Sequence, residues 1–229
     1  MKPKIGSLIL FILLTTQLNA TELVGDISMV SDYRLRGISQ TAGSEALQGS
    51  IESHFHNGVF VGALGSNVDF GNNTNLELDY YLGYADAFSS GIGYALTFSY
   101  FTFQGHESEN MDFSEGSVSL YYHALTFNYT RSEDTVNTAT RSEHLALGYR
   151  YQIMASLQLN LHAEHNFGEF YGSYDINDYQ NYEFGLIGKL SEFEISGKYI
   201  WVKTDRQDKV NAGLFRNDDS FTISARKEF

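Results

Sequence analysis

The chain has 229 residues and a formal charge of −13. This acidic balance excludes a surface built to neutralise nucleic-acid phosphates, which needs clustered Lys and Arg. The absence of cysteine excludes disulfides and a lipid-modified N-terminal Cys. Aromatic residues make up 15% of the chain, and its one proline is Pro3. Without a later proline, every backbone position can donate a hydrogen bond, as a closed β-barrel in lipid requires.

The first 20 residues predict a secretory signal peptide. Lys2 and Lys4 form a positive start, Ile5 to Leu14 is a short apolar core, and Ala20 is small enough for signal peptidase. That core is too short for a transmembrane helix, and no later stretch of sequence approaches the ~20 apolar residues needed. We expect cleavage after Ala20 and a single domain over residues 21–229, placed in the outer membrane of a Gram-negative bacterium.

A strict alternation of side chains begins at Leu23 and continues to Arg36. Apolar residues, including Tyr33 and Leu35, fall on one side, and charged residues fall on the other. At ~3.3 Å per residue, such a strand would extend about 45 Å, long enough to cross a bilayer and project beyond it. We therefore expect Tyr33 and Leu35 to mark the upper lipid boundary.

Eleven further segments alternate in the same way, which gives twelve strands, with ten as the alternative count. This pattern predicts an all-β fold, a transmembrane antiparallel up-and-down β-barrel. The segments are Ala46 to His56, Val59 to Phe70, Leu76 to Ala85, Ile92 to Phe103, Phe113 to Tyr122, Leu125 to Thr130, His144 to Tyr151, Leu157 to Phe167, Tyr179 to Leu190, Phe193 to Lys203 and Phe221 to Phe229.

Three tight turns predict the register of three hairpins. The turns are Asn57-Gly58, His123-Ala124 and Ser191-Glu192, and each places apolar residues opposite apolar residues. The first turn pairs Phe55 with Phe60 and Ile51 with Leu64. The second pairs Tyr122 with Leu125 and Leu120 with Phe127. The third pairs Leu190 with Phe193 and, on the charged face, Lys189 with Glu194.

The connections between strands alternate in length. Those after even-numbered strands are short and those after odd-numbered strands are mostly longer, which is typical of periplasmic turns and external loops in outer-membrane barrels. An even strand count places both termini on the periplasmic side. The terminal Phe229, on a final amphipathic strand, resembles the signal by which outer-membrane proteins are recognised for insertion.

Several blocks resemble the TorF-like, or Gcw_chp, family of proteobacterial outer-membrane porin-like proteins. The most specific is Ser31 to Thr41, followed by Gln48 to Ile51; Gly65 to Phe70, Glu77 to Tyr84 and Tyr94 to Phe103 are similar to later blocks. The resemblance implies a porin-like barrel and says little about the solute.

The charged sides of the predicted strands should face the lumen or its mouth. There, acidic residues outnumber basic ones, which favours cations if an open path exists. Alternatively, pairs such as Arg226 with Asp26 fill a closed interior, giving a structural or receptor barrel that binds ligands through its external loops. The candidates are Asp32, Arg34, Arg36, Glu52, Glu77, Asp79, Glu164 and Glu183.

Arg34 and Arg36 should lie near the external mouth. One hypothesis is a cationic constriction or gate that meets Asp32 and acidic loop residues. The other is that both arginines anchor the first loop or contact lipopolysaccharide phosphate.

The sequence predicts no enzyme. It has no glycine-rich phosphate loop, zinc pattern or nucleophile elbow, so we expect no cofactor and no metal. The expected partners are outer-membrane lipid and lipopolysaccharide, small hydrophilic solutes or ions, and periplasmic chaperones and the barrel-assembly machinery during biogenesis. The pattern leaves the oligomeric state open.

Overall fold

The computed structural model describes residues 20–105, 110–173, 176–205 and 219–229. The predicted signal peptide lies outside this part of the chain, apart from Ala20. No helix among the described residues is long and apolar enough to span a bilayer.

The fold is a closed antiparallel barrel of twelve strands, β1 and β4 to β14, in which every strand pairs with its neighbours in sequence and β1 also pairs with β14. β2 and β3 form a separate two-stranded hairpin. The strands are β1 (Ala20–Val30), β2 (Arg34–Leu35), β3 (Ile38–Ser39), β4 (Ala46–Phe55), β5 (Val59–Asn67), β6 (Leu76–Ala87), β7 (Gly93–Gln104), β8 (Phe113–Tyr122), β9 (Leu125–Ser132), β10 (Ser142–Met154), β11 (Leu157–Phe167), β12 (Tyr179–Leu190), β13 (Phe193–Lys203) and β14 (Ser220–Glu228). A five-residue helix, α1 (Glu169–Ser173), and a 3₁₀ turn (Thr135–Asn137) lie in two connections.

The predicted fold class and the count of twelve are confirmed. The long connections lie at one end of the barrel, which we call the external mouth, and the short ones lie at the other, periplasmic end. The predicted seam between the first and last strands is also present, because Ile27 pairs with Lys227 and Met29 with Ala225. Every backbone edge among the barrel strands is therefore paired, as a lipid environment demands.

The outer face of the barrel is apolar and exposed. In β1, for example, Leu23 and Met29 are exposed, whereas Asp26, on the inner face, reaches Arg226 of β14 at 3.1 Å. Phe98, Leu147 and Phe221 continue the same outer band on other strands. On a soluble protein a continuous exposed apolar band would promote aggregation, whereas on a barrel it suits contact with the hydrocarbon of a bilayer.

Two of the three predicted registers are confirmed and one is wrong. Leu120 pairs with Phe127 and Leu190 pairs with Phe193, as expected. The first hairpin is shifted by one residue, so Ile51 pairs with Ala63 rather than Leu64. The turn holds three residues instead of two, because Gly58 has a φ of 84° and its N–H donates to the Phe55 carbonyl at 3.0 Å.

With this register the Phe60 side chain points into the lumen. There, two aromatic rings pack directly over glycines of the neighbouring strand. A Cβ on Gly83 would lie 2.1 Å from the Phe60 ring, and a Cβ on Gly62 would lie 2.3 Å from the Tyr81 ring. Aromatic rings that cover glycines on the facing strand are a known means of fixing register. This packing explains why the simple rule of apolar opposite apolar gave the wrong answer here.

The prediction that the first strand runs from Leu23 to Arg36 is wrong. β1 ends at Val30, and the chain then folds into the lumen as the plug hairpin, which we define as residues 34–39. Tyr33 and Leu35 therefore do not mark a lipid boundary: the Tyr33 hydroxyl donates to Glu77 on the inner wall, and Leu35 lines an internal cavity.

Candidate functional site

The plug hairpin is held by a tight turn at Arg36 and Gly37. Both residues have positive φ, 54° and 80°, as a two-residue type I′ turn requires. A Cβ on Gly37 would lie 2.7 Å from the Val202 side chain and 2.8 Å from the Asn181 side chain. Two separate constraints therefore require glycine at position 37: the positive φ of the turn and the close approach to the barrel wall.

Asp32 and Arg34 tie the base of the plug hairpin together. The Asp32 carboxylate accepts a hydrogen bond from Ser39 at 2.5 Å and one from Arg34 Nε at 2.6 Å. Arg34 also donates to the Gly37 carbonyl at 3.0 Å. Both side chains are buried, so these contacts join the residues just before the hairpin to its two strands.

Arg36, at the tip of the hairpin, reaches across the lumen to the opposite wall. Its two terminal nitrogens donate to the two carboxylate oxygens of Glu115 at 2.9 and 2.7 Å, and its Nε lies 3.8 Å from Glu164. Burial by itself lowers the pKa of Arg36, but the charge and hydrogen bonds of Glu115 more than offset it, so the pKa stays above its ordinary value. The pair is a bidentate, charge-assisted contact that fixes the plug to β8.

Glu77 and Asp79 lie beside the hairpin on the inner face of β6. The Tyr33 hydroxyl donates to Glu77 Oε1 at 3.0 Å. Glu77 Oε2 and Asp79 Oδ1 are both buried, and no other described residue donates a hydrogen bond to them. The two carboxylates contact each other, and a proton shared between them supplies the donor that these oxygens need.

An apolar cluster seals the hairpin against the wall. Ile38 packs with Phe170 and Tyr171 of α1, with Tyr179 of β12 and with Val202 of β13. The Tyr179 hydroxyl also donates to the Arg36 carbonyl at 3.1 Å. The external half of the lumen therefore contains a small packed core, built from loop residues and the external ends of β12 and β13.

The rest of the lumen, from its middle to the periplasmic end, is different, because its charged side chains are accessible to solvent. Glu52 contacts His54 at 2.5 Å and Glu183 contacts Lys198 at 3.0 Å, with His54 45% and Lys198 33% exposed. Glu77 in the external half is 0% exposed. The lumen thus changes along its axis from a wet, charged vestibule to a buried, charged constriction.

Six of the eight predicted site residues meet around the plug hairpin. Glu52 and Glu183 lie apart from them, toward the periplasmic end and the middle of the barrel. Arg34 meets Asp32, as one of the two hypotheses expected. Arg36 instead crosses the lumen to Glu115 and Glu164, which lie on β8 and β11 and not in external loops. The group around the plug is Asp32, Arg34, Arg36, Glu77, Asp79 and Glu164.

Three important residues were missing from the predicted site. Glu115 is the main partner of Arg36, Tyr33 contacts Glu77, and His144 is buried with its Nδ1 2.7 Å from Asn166. The alternation placed Glu115 inward, but nothing in it shows which inward residue a loop will meet. Arg36-Gly37 is not one of the usual sequence signals for a two-residue turn, so the sequence does not mark the hairpin.

The described part of the chain contains no group of three or more His, Asp or Glu side chains placed to hold a metal ion. The chemistry available at the plug is that of ion pairing and hydrogen bonding in a confined space. Such a site can select or hold a solute.

The fold and this site define a porin-like antiparallel β-barrel whose external mouth is filled by an inward-folded hairpin. A family model described as "Bacterial protein of unknown function (Gcw_chp)" matches residues 16–229. The chain belongs to the Gcw_chp family, which confirms the resemblance inferred from the Ser31 to Thr41 block. A search of curated proteins finds no match.

Solved porins have a similar fold at low sequence identity. The KdgM porin aligns with a TM-score of 0.55 and 9% identity over 90% of this chain and 99% of that one. The NanC porin aligns with a TM-score of 0.55 and 12% identity over 89% and 97% of the two chains. A structure of the KdgM porin in complex with disordered oligogalacturonate gives a TM-score of 0.51 and 9% identity over 90% and 96%. These likenesses show a shared barrel architecture.

Proposed function

We propose that the protein is a porin-like channel for passive diffusion of small hydrophilic solutes or ions across the outer membrane of a Gram-negative bacterium. The observation that supports it best is the closed barrel with an apolar outer face and a charged, water-accessible vestibule inside. A barrel of this kind can cross a bilayer and conduct without moving parts.

The outer-membrane location rests on two features of different kinds. One is the apolar band, on which residues such as Leu23 and Phe98 are exposed. The other is the predicted signal peptide. In this setting the outer face would contact lipid and lipopolysaccharide, and biogenesis would involve periplasmic chaperones and the barrel-assembly machinery. The proposal includes no catalytic step and no cofactor.

The plug hairpin would be the constriction of this channel. Arg36 is neutralised by Glu115, while Glu77, Asp79 and Glu164 add further carboxylates around it. The local excess of acidic groups favours cations over anions. The same excess of acidic groups disfavours a polyanion such as oligogalacturonate, the molecule bound in one of the KdgM porin structures.

The reversal potential of purified protein in a planar bilayer, under a tenfold KCl gradient, tests this function. We expect discrete conductance steps and a reversal potential of the sign set by K⁺. Steps with the sign set by Cl⁻ would overturn the cation preference and leave the channel intact. Electrical silence, with folded protein verified in the same bilayer, would overturn the channel itself.

A closed barrel that binds ligands through its external face is the second candidate. The tight packing of the plug favours it, because Glu77, His144 and Tyr179 are at most 1% exposed. Solute uptake into proteoliposomes separates the two candidates. Uptake of a small sugar or amino acid supports the pore, while exclusion of every solute tested supports the closed barrel.

A further inference from the structure

A small cavity of about 170 Å³ lies in the wall of the lumen, over the inner faces of β9 to β12. Ala146 and Gly148 line it from successive inward positions of β10. Because these two residues carry little or no side chain, the longer side chains around them enclose a space. The volume is below that of a site for a drug-sized ligand, so it suits a small solute and not an oligomer.

Arg150 borders this cavity with a charge that the described part of the chain does not neutralise. Its side chain is exposed, and its guanidinium makes no hydrogen bond or ion pair with a described residue. Glu183, the carboxylate in the lining of the same cavity, is held instead by Lys198 Nζ at 3.0 Å. A solute in the lumen can therefore reach Arg150, whose N–H groups are all available as donors.

Asn160 lies directly opposite Arg150, on β11, and lines the same cavity. Its side-chain amide also makes no hydrogen bond within the described part of the chain. Opposite residues of an antiparallel pair have Cβ atoms about 4.5–5.5 Å apart, so the amide and the guanidinium can donate to one group. A planar guanidinium binds a carboxylate through two parallel N–H bonds, and the amide adds a third donor. This pair of side chains therefore suits a carboxylate.

We propose that Arg150 and Asn160 bind the carboxylate group of a small amino acid in this cavity. The choice of an amino acid rests on the proposed function, in which the acidic groups around the plug hairpin disfavour solutes of net negative charge. An amino acid has a carboxylate for Arg150, and its ammonium group brings the net charge to zero. The space over Ala146 and Gly148 accommodates a small side chain.

Saturation-transfer NMR of the protein in deuterated detergent micelles tests the proposal with L-alanine and L-alaninamide. The two ligands share the ammonium and methyl groups, and only L-alanine has a carboxylate. Both are too polar to partition into the micelle. We expect L-alanine to bind at least about tenfold more tightly, the low end for a charge-assisted hydrogen bond, because Arg150 is exposed to water. Equal affinity for the two ligands would overturn the proposal.

Matched variants locate the site. Arg150→Gln should lower the affinity for L-alanine to that for L-alaninamide. Gly148→Val should also weaken L-alanine binding about tenfold, because it fills the cavity without removing the charge. The atom nearest to a Cβ at Gly148 is 3.6 Å away, so the strand accepts the valine. Lys189→Gln is the control, since Lys189 is an exposed cation of β12 that does not line the cavity.

The Lys189→Gln protein should bind L-alanine as tightly as the wild type. Wild-type affinity in an Arg150→Gln protein, shown to be folded by heat-modifiable mobility in gels, would overturn the proposal. The assay needs no conductance, so the two functional claims fail separately. A conducting protein without a preference for L-alanine overturns this inference alone. An electrically silent protein that binds L-alanine through Arg150 overturns the channel alone.

Discussion

The bidentate contact between Arg36 and Glu115 attaches the tip of the plug hairpin to β8, and Glu115→Gln tests it. The two side chains are 15% and 5% exposed, and their closest atoms are 2.7 Å apart. Removing one partner of a buried ion pair costs about 3–5 kcal/mol. Because Glu164 remains 3.8 Å from Arg36, we expect the lower end, about 3 kcal/mol. That loss corresponds to roughly a 100-fold increase in the fraction of molecules with a released hairpin.

Limited proteolysis of the folded protein measures this fraction directly. Trypsin can cleave after Arg34 or Arg36 only when the hairpin leaves its packed position, and cleavage of a transiently open state follows its population. We expect the Glu115→Gln protein to be cut in the hairpin about 100-fold faster than the wild type.

Two control variants make this result interpretable. Arg226→Gln breaks a half-exposed pair with Asp26 at the other end of the lumen, and it should cost only ~0–1 kcal/mol without changing hairpin cleavage. The double variant Arg36→Met, Glu115→Leu replaces the pair by apolar side chains and should restore much of the protection, although it removes one trypsin site. Unchanged cleavage at Arg34 in Glu115→Gln would refute the claim that this pair holds the plug.

Further predictions concern the turn, the lipid face and the closed barrel. Gly37→Ala should raise hairpin cleavage tenfold or more, because a Cβ there would overlap Val202 and Asn181; wild-type protection would contradict the turn geometry. Ile51→Arg should lower the free energy of unfolding in lipid by ~2–4 kcal/mol, since Ile51 is 52% exposed on the outer face near the middle of β4. Asn57→Arg, in the periplasmic turn, is its control, and equal stability of the two variants would count against the lipid face. Folded protein should also migrate differently from boiled protein in detergent gels, and identical mobility would argue against a closed barrel.

The barrel could be predicted from the sequence because its rules are local and repeated. Alternation along each strand sets the two faces, and the turns at His123 and Ser191 set the register of their hairpins. The register predicted from the turn at Asn57 was wrong because the packing of Phe60 over Gly83 outweighs the preference for a two-residue loop. That fit involves a third strand, which a single hairpin does not contain.

The site was harder to predict because a loop builds it. The alternation of β1 continues through Tyr33 and Leu35, since the plug hairpin is itself made of β residues, so the pattern gives no sign that the chain leaves the sheet after Val30. The partner of Arg36 is 79 residues away in sequence. Inward charge could be predicted strand by strand, but the contact with Glu115 depends on where the loop enters the lumen.

The single-channel conductance of a variant without the plug tests the central claim most directly. The Gln40 N–H donates to the Tyr33 carbonyl at 2.7 Å, so a two-residue Asn-Gly turn can replace residues 34–39 and join Tyr33 to Gln40. The account predicts small conductance steps for the wild type and steps several-fold larger for this variant in the same planar bilayer. Equal conductance would contradict the claim that the hairpin is the constriction, and a silent wild type beside an open variant would show a closed barrel instead of a channel.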